Sequence, residues 1–491
     1  MGPIFFNALH RPTGNSGVHR RRVMHSTVAA VAIAASIACA AAVRPAAERP
    51  ISTATSTPTP TPTASATPSG PPPQRAGPRP LASDDPGIRT LACASLAAVG
   101  DVLMHGAVKD AAADHRAADN DDGYGWLWAP VADLLAAADL TFANLETPIA
   151  PRAGQGSRSF VFNAPPAAAR ALKRAGVDLV SVANNHMFDQ GRAGFEETLR
   201  QLEAVGLPYV GAGEAGRESG PRTVELNGIH VAFLGYAYGF NQSGNACPPR
   251  PSSPCLKASL LDPERAVAEV AAAAREADAV VVSVHWGIEY ADQPRQSEVD
   301  LAHRLAEAGA LVVLGHHPHV LQPVELYRRG DGRTALIAYS LGNFVSNQSR
   351  HYAHGVTPEK VGATRDGLLL RVELARRDYG RGVVRVELSG ADWLPLWTEN
   401  DTDDPERRAR RARPSIQVVS VDRALAAVRR ELAAVPDPVP PAEEARYVTL
   451  RQREELYRAR RTAVAAVVGE DLQREAPPAA AEATATAAPS P

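Results

Sequence analysis

The chain has 491 residues, of which 45% are hydrophobic and 22% charged, so it is long enough to bury a large core and to form more than one domain. Its 52 basic and 54 acidic residues leave a net charge of -2, which provides no overall field for nucleic acid, and we predict no nucleic-acid partner. The 41 prolines indicate that part of the chain lies outside any packed core.

The N-terminus has the pattern of an export signal. Three arginines at positions 20–22 precede an uncharged run over residues 26–43 that is mostly Ala, Val and Ile. This order is typical of a secretory signal, and the alternative is a retained membrane anchor. We therefore predict that residues 1–43 are a signal peptide or membrane anchor and that the protein is secreted or anchored to the outer face of the cell membrane. Cys39 is a candidate lipid-attachment point, because Ser36-Ile37-Ala38-Cys39 resembles a lipobox.

Residues 44–90 are predicted to form a disordered linker. Pro, Thr, Ser and Ala dominate this stretch, as in "STATSTPTPTPTASATPSGPPPQ", and large apolar side chains are almost absent. The segment therefore has little to bury that would offset the entropy lost on ordering. Its proline content favours extended polyproline II conformation, which makes a semi-rigid spacer.

From Leu91 onward short apolar runs alternate with Ala-rich helical stretches, a pattern that predicts an α/β domain. Polar side chains that can bind metals follow five of the apolar runs. These are Asp101; Asn144 and Glu146; Asn184, Asn185 and His186; His285; and His316, His317 and His319. Because sites in α/β proteins form at the carboxyl ends of the strands, the five clusters are expected to meet in space.

The chemistry of these clusters points to a metal centre. Each one alone has an ordinary explanation, since Gly-Asp after a strand is usually a turn and a lone histidine usually belongs to the core. Packing gains nothing, however, from the three histidines between residues 316 and 319. Carboxylate, amide and imidazole donors together suit a binuclear centre of Zn, Mn or Fe, so we predict divalent metal ions, with two as the expected number.

Cys247 and Cys255 bracket a proline-rich loop, "CPPRPSSPC". In an exported protein this spacing favours a disulfide, which would contribute about 2 to 3 kcal/mol by closing a short loop. The alternative is a metal-binding pair, although structural zinc normally needs four ligands.

After Val345 the sequence is less informative about chemistry. "GLLLRVELARRDYGRGVVRVELSG" predicts a hairpin around Asp378, "SIQVVSV" predicts a strand, and residues 446–468 have the composition of a charged helix. The domain boundaries that we predict are 91–400 for the main domain, 401–470 for a C-terminal strand and helix extension, and 471–491 for a disordered tail.

Six motifs occur in the order found in the CapA family, the bacterial capsule or poly-gamma-glutamate synthesis proteins. They are "AAVGDVLMHG", "ANLETPIA", "VANNHMFDQG", "VSVHWGIEY", "VVLGHHPHVLQPVE" and "IAYSLGNFV". That family resembles the calcineurin-like metallophosphoesterases. The resemblance implies a four-layer α/β sandwich, in which two mixed sheets pack together and helices cover both outer faces.

The resemblance also implies roles for individual residues. The metal ligands it implies are Asp101, Glu146, Asn185, His285, His317 and His319. His186 matches the histidine that donates a proton or stabilises the transition state. Two positions depart from the phosphoesterase pattern, because Leu103 stands where a histidine ligand is usual and Glu146 replaces the aspartate that bridges both metals.

Four further polar residues near these motifs are candidate substrate-binding residues, namely Asn144, Asn184, Glu289 and Asn343. Glu289 has the alternative role of supporting His285. We expect an exported metal-dependent hydrolase or transferase that acts on an anionic cell-envelope polymer or its precursor. The alternative is a noncatalytic protein that binds such a polymer or assists its export.

Overall fold

The computed structural model describes residues 79–80, 87–116, 122–154, 159–249, 254–404 and 415–469. The predicted export signal, Cys39 and the C-terminal tail lie outside these residues, as does most of the predicted linker. Within the described ranges, no helix combines the length and the apolar character needed to cross a membrane.

The described helices and strands alternate along most of the chain. The helices are α1 (Gly106–Asp114), α2 (Ala132–Leu135), α3 (Pro166–Arg174), α4 (Gly191–Val205), α5 (Pro263–Glu276), α6 (Gln296–Ala308), α7 (Val421–Ala433) and α8 (Glu444–Val468), with 3-10 helices at Tyr124–Leu127 and Glu359–Arg365. The strands are β1 (Arg79–Pro80), β2 (Arg89–Val102), β3 (Leu140–Asn144), β4 (Leu179–Ser181), β5 (Tyr209–Val210), β6 (Ala212–Glu214), β7 (Arg222–Leu226), β8 (Ile229–Ala237), β9 (Leu256–Ala258), β10 (Ala279–His285), β11 (Val312–His316), β12 (Val324–Arg328), β13 (Thr334–Ala338), β14 (Asn343–Val345), β15 (Asp366–Asp378), β16 (Val384–Asn400) and β17 (Ile416–Ser420).

These strands form two large mixed sheets and one small one. The larger sheet has the order β1-β16-β15-β2-β3-β4-β5, with β14 paired to β2 and β17 paired to β16. Strands β2 to β5 run parallel, whereas β15 is antiparallel to β2. The second sheet has the order β12-β13-β11-β10-β8-β7, with parallel central strands and antiparallel edges. Strands β6 and β9 pair separately.

The central strands β10 and β11 are buried along their whole length, and their apolar runs end in His285 and His316. All seven residues of β10 and all five of β11 are buried, and both strands are rich in valine. Continuous apolar runs of this kind are expected for parallel strands covered on both faces. The mixed α/β class predicted from the sequence is therefore confirmed.

The core residues fall into clusters that lie on different faces of the sheets. One cluster contains residues of both large sheets, and within it Phe142 on β3 stacks with Phe233 on β8 at 6.1 Å between ring centroids. A second cluster joins α1, α3 and α4 to the larger sheet. A third joins α5 and α6 to β8, β10 and β11. The two sheets thus bury apolar faces against each other and against helices.

The C-terminal residues are continuous with the larger sheet. Strands β15 and β16 form the predicted hairpin, and β17 pairs with β16 in the same sheet. Helix α8 begins at Glu444, two residues before the predicted start, and packs with α7 in a cluster around Trp397 and Tyr457. At the other end, Arg79–Pro80 of the predicted linker pair with β16 as strand β1.

The structure contains a disulfide between Cys247 and Cys255, whose Cα atoms lie 5.8 Å apart. Arg192 anchors the loop, because its guanidinium donates hydrogen bonds to the carbonyl oxygens of Gly244, Ala246 and Leu256. The disulfide therefore closes the loop covalently, and the Arg192 hydrogen bonds attach this part of the chain to α4.

Replacing Cys247 and Cys255 together with serine is expected to lower the free energy of unfolding by about 2 to 3 kcal/mol, because the unfolded chain gains freedom when the loop is opened. Denaturant titration of the oxidised wild-type and double-mutant proteins measures this difference. Two free thiols in the purified wild-type protein, found by mass spectrometry after alkylation without reduction, would contradict the bond itself.

Candidate metal centre

The register of the parallel strands brings the polar side chains together. Asp101 on β2 lies opposite Asn144 on β3, and on its other side it lies opposite Asn343 on β14. His285 at the end of β10 lies opposite His316 at the end of β11. The carboxyl ends of strands from both large sheets thus meet at one buried site.

Asp101 is fully buried and accepts several hydrogen bonds. Its Oδ1 accepts from Asn144 Nδ2 at 2.8 Å and from His316 Nδ1 at 3.0 Å, and its Oδ2 accepts from the backbone N–H of His317 at 3.1 Å. Burial raises the pKa of this carboxyl, but hydrogen bonds from His316 and His319 outweigh it and hold the pKa well below its usual range. Asp101 is therefore an ionised carboxylate.

Glu146 follows β3 and is also fully buried, but it has no comparable partners. Neither carboxylate oxygen accepts a hydrogen bond within the described chain. Its Oε1 lies 3.5 Å from His285 Nε2 and 3.8 Å from His319 Nε2. Burial, followed by repulsion from Asp101, raises the pKa of Glu146 well above its ordinary value. A buried carboxylate without a donor is costly, so this geometry calls for a positive charge.

Two groups of ligand atoms share this carboxylate. Glu146, His317 and His319 offer ligand atoms within 4.8 Å of one another, and Asp101, Glu146 and His285 do the same. Carboxylate and imidazole donors at such distances suit divalent ions such as Zn, Mn or Fe. Glu146 is common to both groups, so the same carboxylate could serve as a ligand in either of them.

The histidines are in the form that binds metals. Burial and then repulsion from His319 lower the pKa of His317 to about 4. Burial and then repulsion from His317 lower the pKa of His285 well below its ordinary value. Both imidazoles are thus neutral at pH 7, as ligation requires. The Nδ1 atom of His317 is buried and has no partner within the described residues.

The backbone at the end of β11 is unusual. His317 has a φ of 97° and His319 a φ of 57°, both in the left-handed region that non-glycine residues rarely adopt. Such conformations cost about 1 to 3 kcal/mol each and persist where the surrounding structure imposes them. Here they turn two imidazoles toward the same site.

Asparagines hold the imidazole rings. His285 Nε2 lies 2.9 Å from Asn185 Oδ1, and its Nδ1 lies 3.3 Å from Asn144 Nδ2. His319 Nδ1 lies 3.0 Å from Asn343 Oδ1. The ring orientations are thereby fixed before any ion is bound.

His186 forms a pair with a carboxylate at the edge of the same site. Its Nδ1 lies 2.8 Å from Asp189 Oδ2, and its Nε2 lies 3.4 Å from Asn241 Nδ2. Asp189 Oδ2 also accepts from the backbone N–H of Phe162 at 2.6 Å. Because Asp189 orients the ring through Nδ1, Nε2 is the nitrogen available to a substrate.

The structure places most of the predicted site residues together. Asn144, Asn184 and Asn343 are buried, and the Nδ2 atom of each donates a hydrogen bond to a neighbouring residue. Glu289 is exposed, and its neighbour Tyr290 has its ring centroid 6.3 Å from that of His319. Contact between substrate and these residues stays a prediction, with Glu289 the best placed of the four.

Several residues of the site were not predicted in these roles. Asp189 lies three positions after His186, a spacing that could have indicated the pair. His105, whose Nδ1 accepts from the backbone N–H of Asn347 at 3.3 Å, has a pKa lowered to about 4 by burial. Asn241 lies between β8 and Cys247 and carries no recognisable sequence signal.

Comparison with known proteins identifies what the chain resembles. The profile of the family described as bacterial capsule synthesis protein PGA_cap matches residues 95–348. A capsule biosynthesis protein CapA of Bacillus anthracis is 31% identical over 301 residues, which cover 59% of this chain and 65% of that protein. A PGA biosynthesis protein CapA of Bacillus subtilis is 30% identical over 305 residues, 61% of this chain and 73% of that protein.

A relative from Mycobacterium tuberculosis is described as a probable polyglutamine synthesis accessory protein. It is 31% identical over 232 residues, which cover 45% of this chain and 60% of that protein. The chain thus spans slightly less than two thirds of the Bacillus anthracis and Mycobacterium tuberculosis proteins.

Proposed function

Because the chain belongs to the bacterial capsule synthesis protein PGA_cap family, we propose that it acts in the synthesis of an anionic cell-envelope polymer as an exported, metal-dependent hydrolase or transferase. The names of the Bacillus relatives support the capsule or poly-gamma-glutamate part of this proposal. The substrate is the polymer or its precursor.

The unpartnered, fully buried carboxylate of Glu146 carries the metal-dependent part of the proposal. Two histidines lie within 4 Å of it, and both of its oxygens lack donors in the described chain. Burying an ionised carboxylate without compensation is too costly to be explained by packing. A divalent cation satisfies both its charge and its lone pairs.

The ligands would be Asp101, Glu146, Asn185, His285, His317 and His319. When bound, divalent ions polarise a scissile carbonyl or phosphoryl group and lower the pKa of a bound water to about 7. The chain's own residues do the remaining work. Asn144 and Asn343 orient the imidazoles of His285 and His319, and His186, oriented by Asp189, donates a proton to the leaving group.

The proposal also includes export of the protein, its domain boundaries and the order of its layers. The Cys247–Cys255 disulfide is typical of an oxidising compartment outside the cytoplasm. We place the signal or anchor at residues 1–43, with lipid attachment at Cys39, and the catalytic domain at 91–400. The faces buried between the sheets and under the helices support a four-layer order of helices, sheet, sheet and helices.

Removal of metal tests this function. Dialysis of the purified protein against a chelator is expected to abolish cleavage, and adding back Zn, Mn or Fe should restore it. Phosphodiesters, phosphomonoesters and gamma-glutamyl amides are the substrates to compare, because phosphoryl and amide oxygens are both hard Lewis bases. Stoichiometric metal without turnover of any of them, or of purified envelope polymers, would favour the noncatalytic alternative of polymer binding or export assistance.

A further inference from the structure

Two tyrosines border the cluster of metal-ligand residues, and neither has a role in the function proposed above. Tyr238 follows strand β8 and is 46% exposed, and Tyr290 comes five residues after the end of β10 and is 55% exposed. Trp286, from the same segment as Tyr290, is by contrast 2% exposed. Burial in the core therefore does not explain where the two tyrosine rings lie.

Tyr238 is fixed to the segment that carries His285. Its backbone N–H donates to the carbonyl oxygen of His285 at 2.9 Å. Its ring is parallel to that imidazole within 7°, with the two centroids 6.3 Å apart. The same ring lies 4.8 Å from the ring of His317. One tyrosine thus lies beside two of the imidazoles that we propose as metal ligands.

Tyr290 is fixed to the segment that carries His317 and His319. Its backbone N–H donates to the carbonyl oxygen of Pro318 at 2.8 Å, and its ring centroid lies 6.3 Å from that of His319. Its hydroxyl accepts from Gln348 Nε2 at 3.4 Å. Its φ of 66° is in the left-handed region, which is unfavourable for a bulky side chain and persists where surrounding contacts impose it. The fold therefore holds this ring beside the site at a cost.

The tyrosines and two of the imidazoles follow one another across the site. Neighbouring ring centroids in the series Tyr238, His317, His319 and Tyr290 are 4.8, 5.9 and 6.3 Å apart. An extended chain that passes over the two imidazoles would therefore meet a tyrosine on each side. Tyrosine suits such contacts, because it offers a large rigid surface and loses little conformational entropy when it is immobilised.

The charges around these rings favour an uncharged group of the substrate over a phosphodiester. Burial, followed by the negative charge of Glu289, raises the pKa of Tyr238 above its ordinary value and that of Tyr290 to about 12, so both phenols are uncharged at neutral pH. Glu289 is exposed, and the nearby cation Arg295 is already paired with Glu298. A phosphodiester would meet the like charge of Glu289, whereas a planar amide has no net charge and can stack on an aromatic face.

We propose that Tyr238 and Tyr290 are substrate-contacting residues, which stack on planar amide linkages of a polymer chain that crosses the metal centre. The gamma-glutamyl identity of this chain rests on the proposed function above. The contact of the two rings with a bound chain does not.

The test measures binding by calorimetry to the full-length protein, both as purified and after dialysis against a chelator, so that an affinity is obtained with or without turnover. The probes are a gamma-linked glutamate tetramer, a glycerol phosphate oligomer and a glucose oligomer of similar length. We expect wild-type protein to bind the glutamate tetramer most tightly. Y238A and Y290A should each bind it about tenfold more weakly, as is usual when an aromatic contact residue is truncated. Y238F and Y290F should stay within about threefold of wild-type protein, because phenylalanine keeps the ring.

Metal content should be the same in all of these variants, because neither tyrosine belongs to the groups of clustered ligand atoms. Tyr379→Ala is the matched control, since Tyr379 is 38% exposed but contacts Glu387 in the hairpin of β15 and β16. Its affinity for the tetramer should equal that of wild-type protein. If an alanine variant does not fold by circular dichroism, the leucine variant replaces it, because leucine fills space without a flat ring.

Wild-type affinity in the variants of both tyrosines, or no binding of the tetramer to wild-type protein, would overturn the proposal. An equal loss in the phenylalanine and alanine variants would overturn stacking, because the hydroxyls would then make the contact. Tighter binding of the glycerol phosphate or glucose oligomer, lost in the alanine variants, would overturn the assignment to an amide. Tyrosine-dependent binding of the tetramer without metal or turnover would refute the enzyme proposal and support the contact proposed here.

Discussion

Replacing Glu146 with glutamine is expected to remove the metal and abolish activity while leaving the fold intact. The substitution keeps the size of the side chain but removes the charge common to both groups of ligand atoms. Metal affinity should fall by more than the roughly 10- to 100-fold that follows loss of a supporting partner. Elemental analysis of the folded, purified variant measures the loss.

The metal-free form of the same variant should be at least as stable as metal-free wild-type protein, because an amide is less costly to bury than an unpaired carboxylate. Because the pKa of Glu146 is raised, the difference in stability between the two metal-free proteins depends on pH. The metal-free wild-type protein loses stability as pH rises through the folded-state pKa of Glu146, because the buried group then ionises. The glutamine variant has no such group, so its stability should exceed that of the wild-type protein most at alkaline pH. Melting temperatures of both metal-free proteins, measured over a range of pH, check this expectation.

Glu197→Gln provides a matched control. Glu197 is also a buried glutamate, but it accepts hydrogen bonds from the backbone of Arg152 and Ala153 and from the Arg152 guanidinium. Its replacement should destabilise the protein and leave metal content unchanged. Full metal content in the Glu146 variant would show that Glu146 is not a ligand and would remove the basis of the proposed centre.

Replacing His186 with alanine is expected to lower activity by about 10² to 10⁴ while metal content stays normal, because a positioned general acid contributes about that factor. The ring is held by Asp189 at 2.8 Å and belongs to neither group of clustered ligand atoms. Turnover and metal content are measured on the same preparation, so that a proton donor and a ligand can be told apart.

The control for this variant is His230→Ala. His230 also contacts an aspartate, with Nδ1 lying 3.3 Å from Asp278 Oδ2, but the pair is largely exposed. Neither activity nor metal content should change in it. A parallel loss of metal and activity in His186→Ala would instead make His186 a ligand.

The part of this site that follows from strand geometry could be predicted from the sequence. Apolar runs that end in Asp101, His285 and His316 are recognisable, and parallel strands in one sheet bring their carboxyl ends together. The pattern shows that a polar side chain stands at a strand end. It does not show which neighbours that side chain contacts, such as the hydrogen bonds of Asn144 to Asp101 and of Asn343 to Thr364.

Features that depend on distant contacts could not be predicted. Asn241 lies 3.4 Å from His186 although 55 residues separate them in sequence.

The two sheets each contribute part of the ligand set, and this has a consequence for how the protein assembles. Asp101 lies in a strand of the larger sheet and Glu146 follows one. His285 lies in a strand of the six-stranded sheet and His317 follows one. An ion held by this set would therefore link the two large sheets. Separating the sheets would then lose its binding free energy, about 4 kcal/mol at a free metal concentration a thousand times Kd. Because the proposed ligands extend from Asp101 to His319 and belong to two sheets, the complete set would exist only once both sheets have formed.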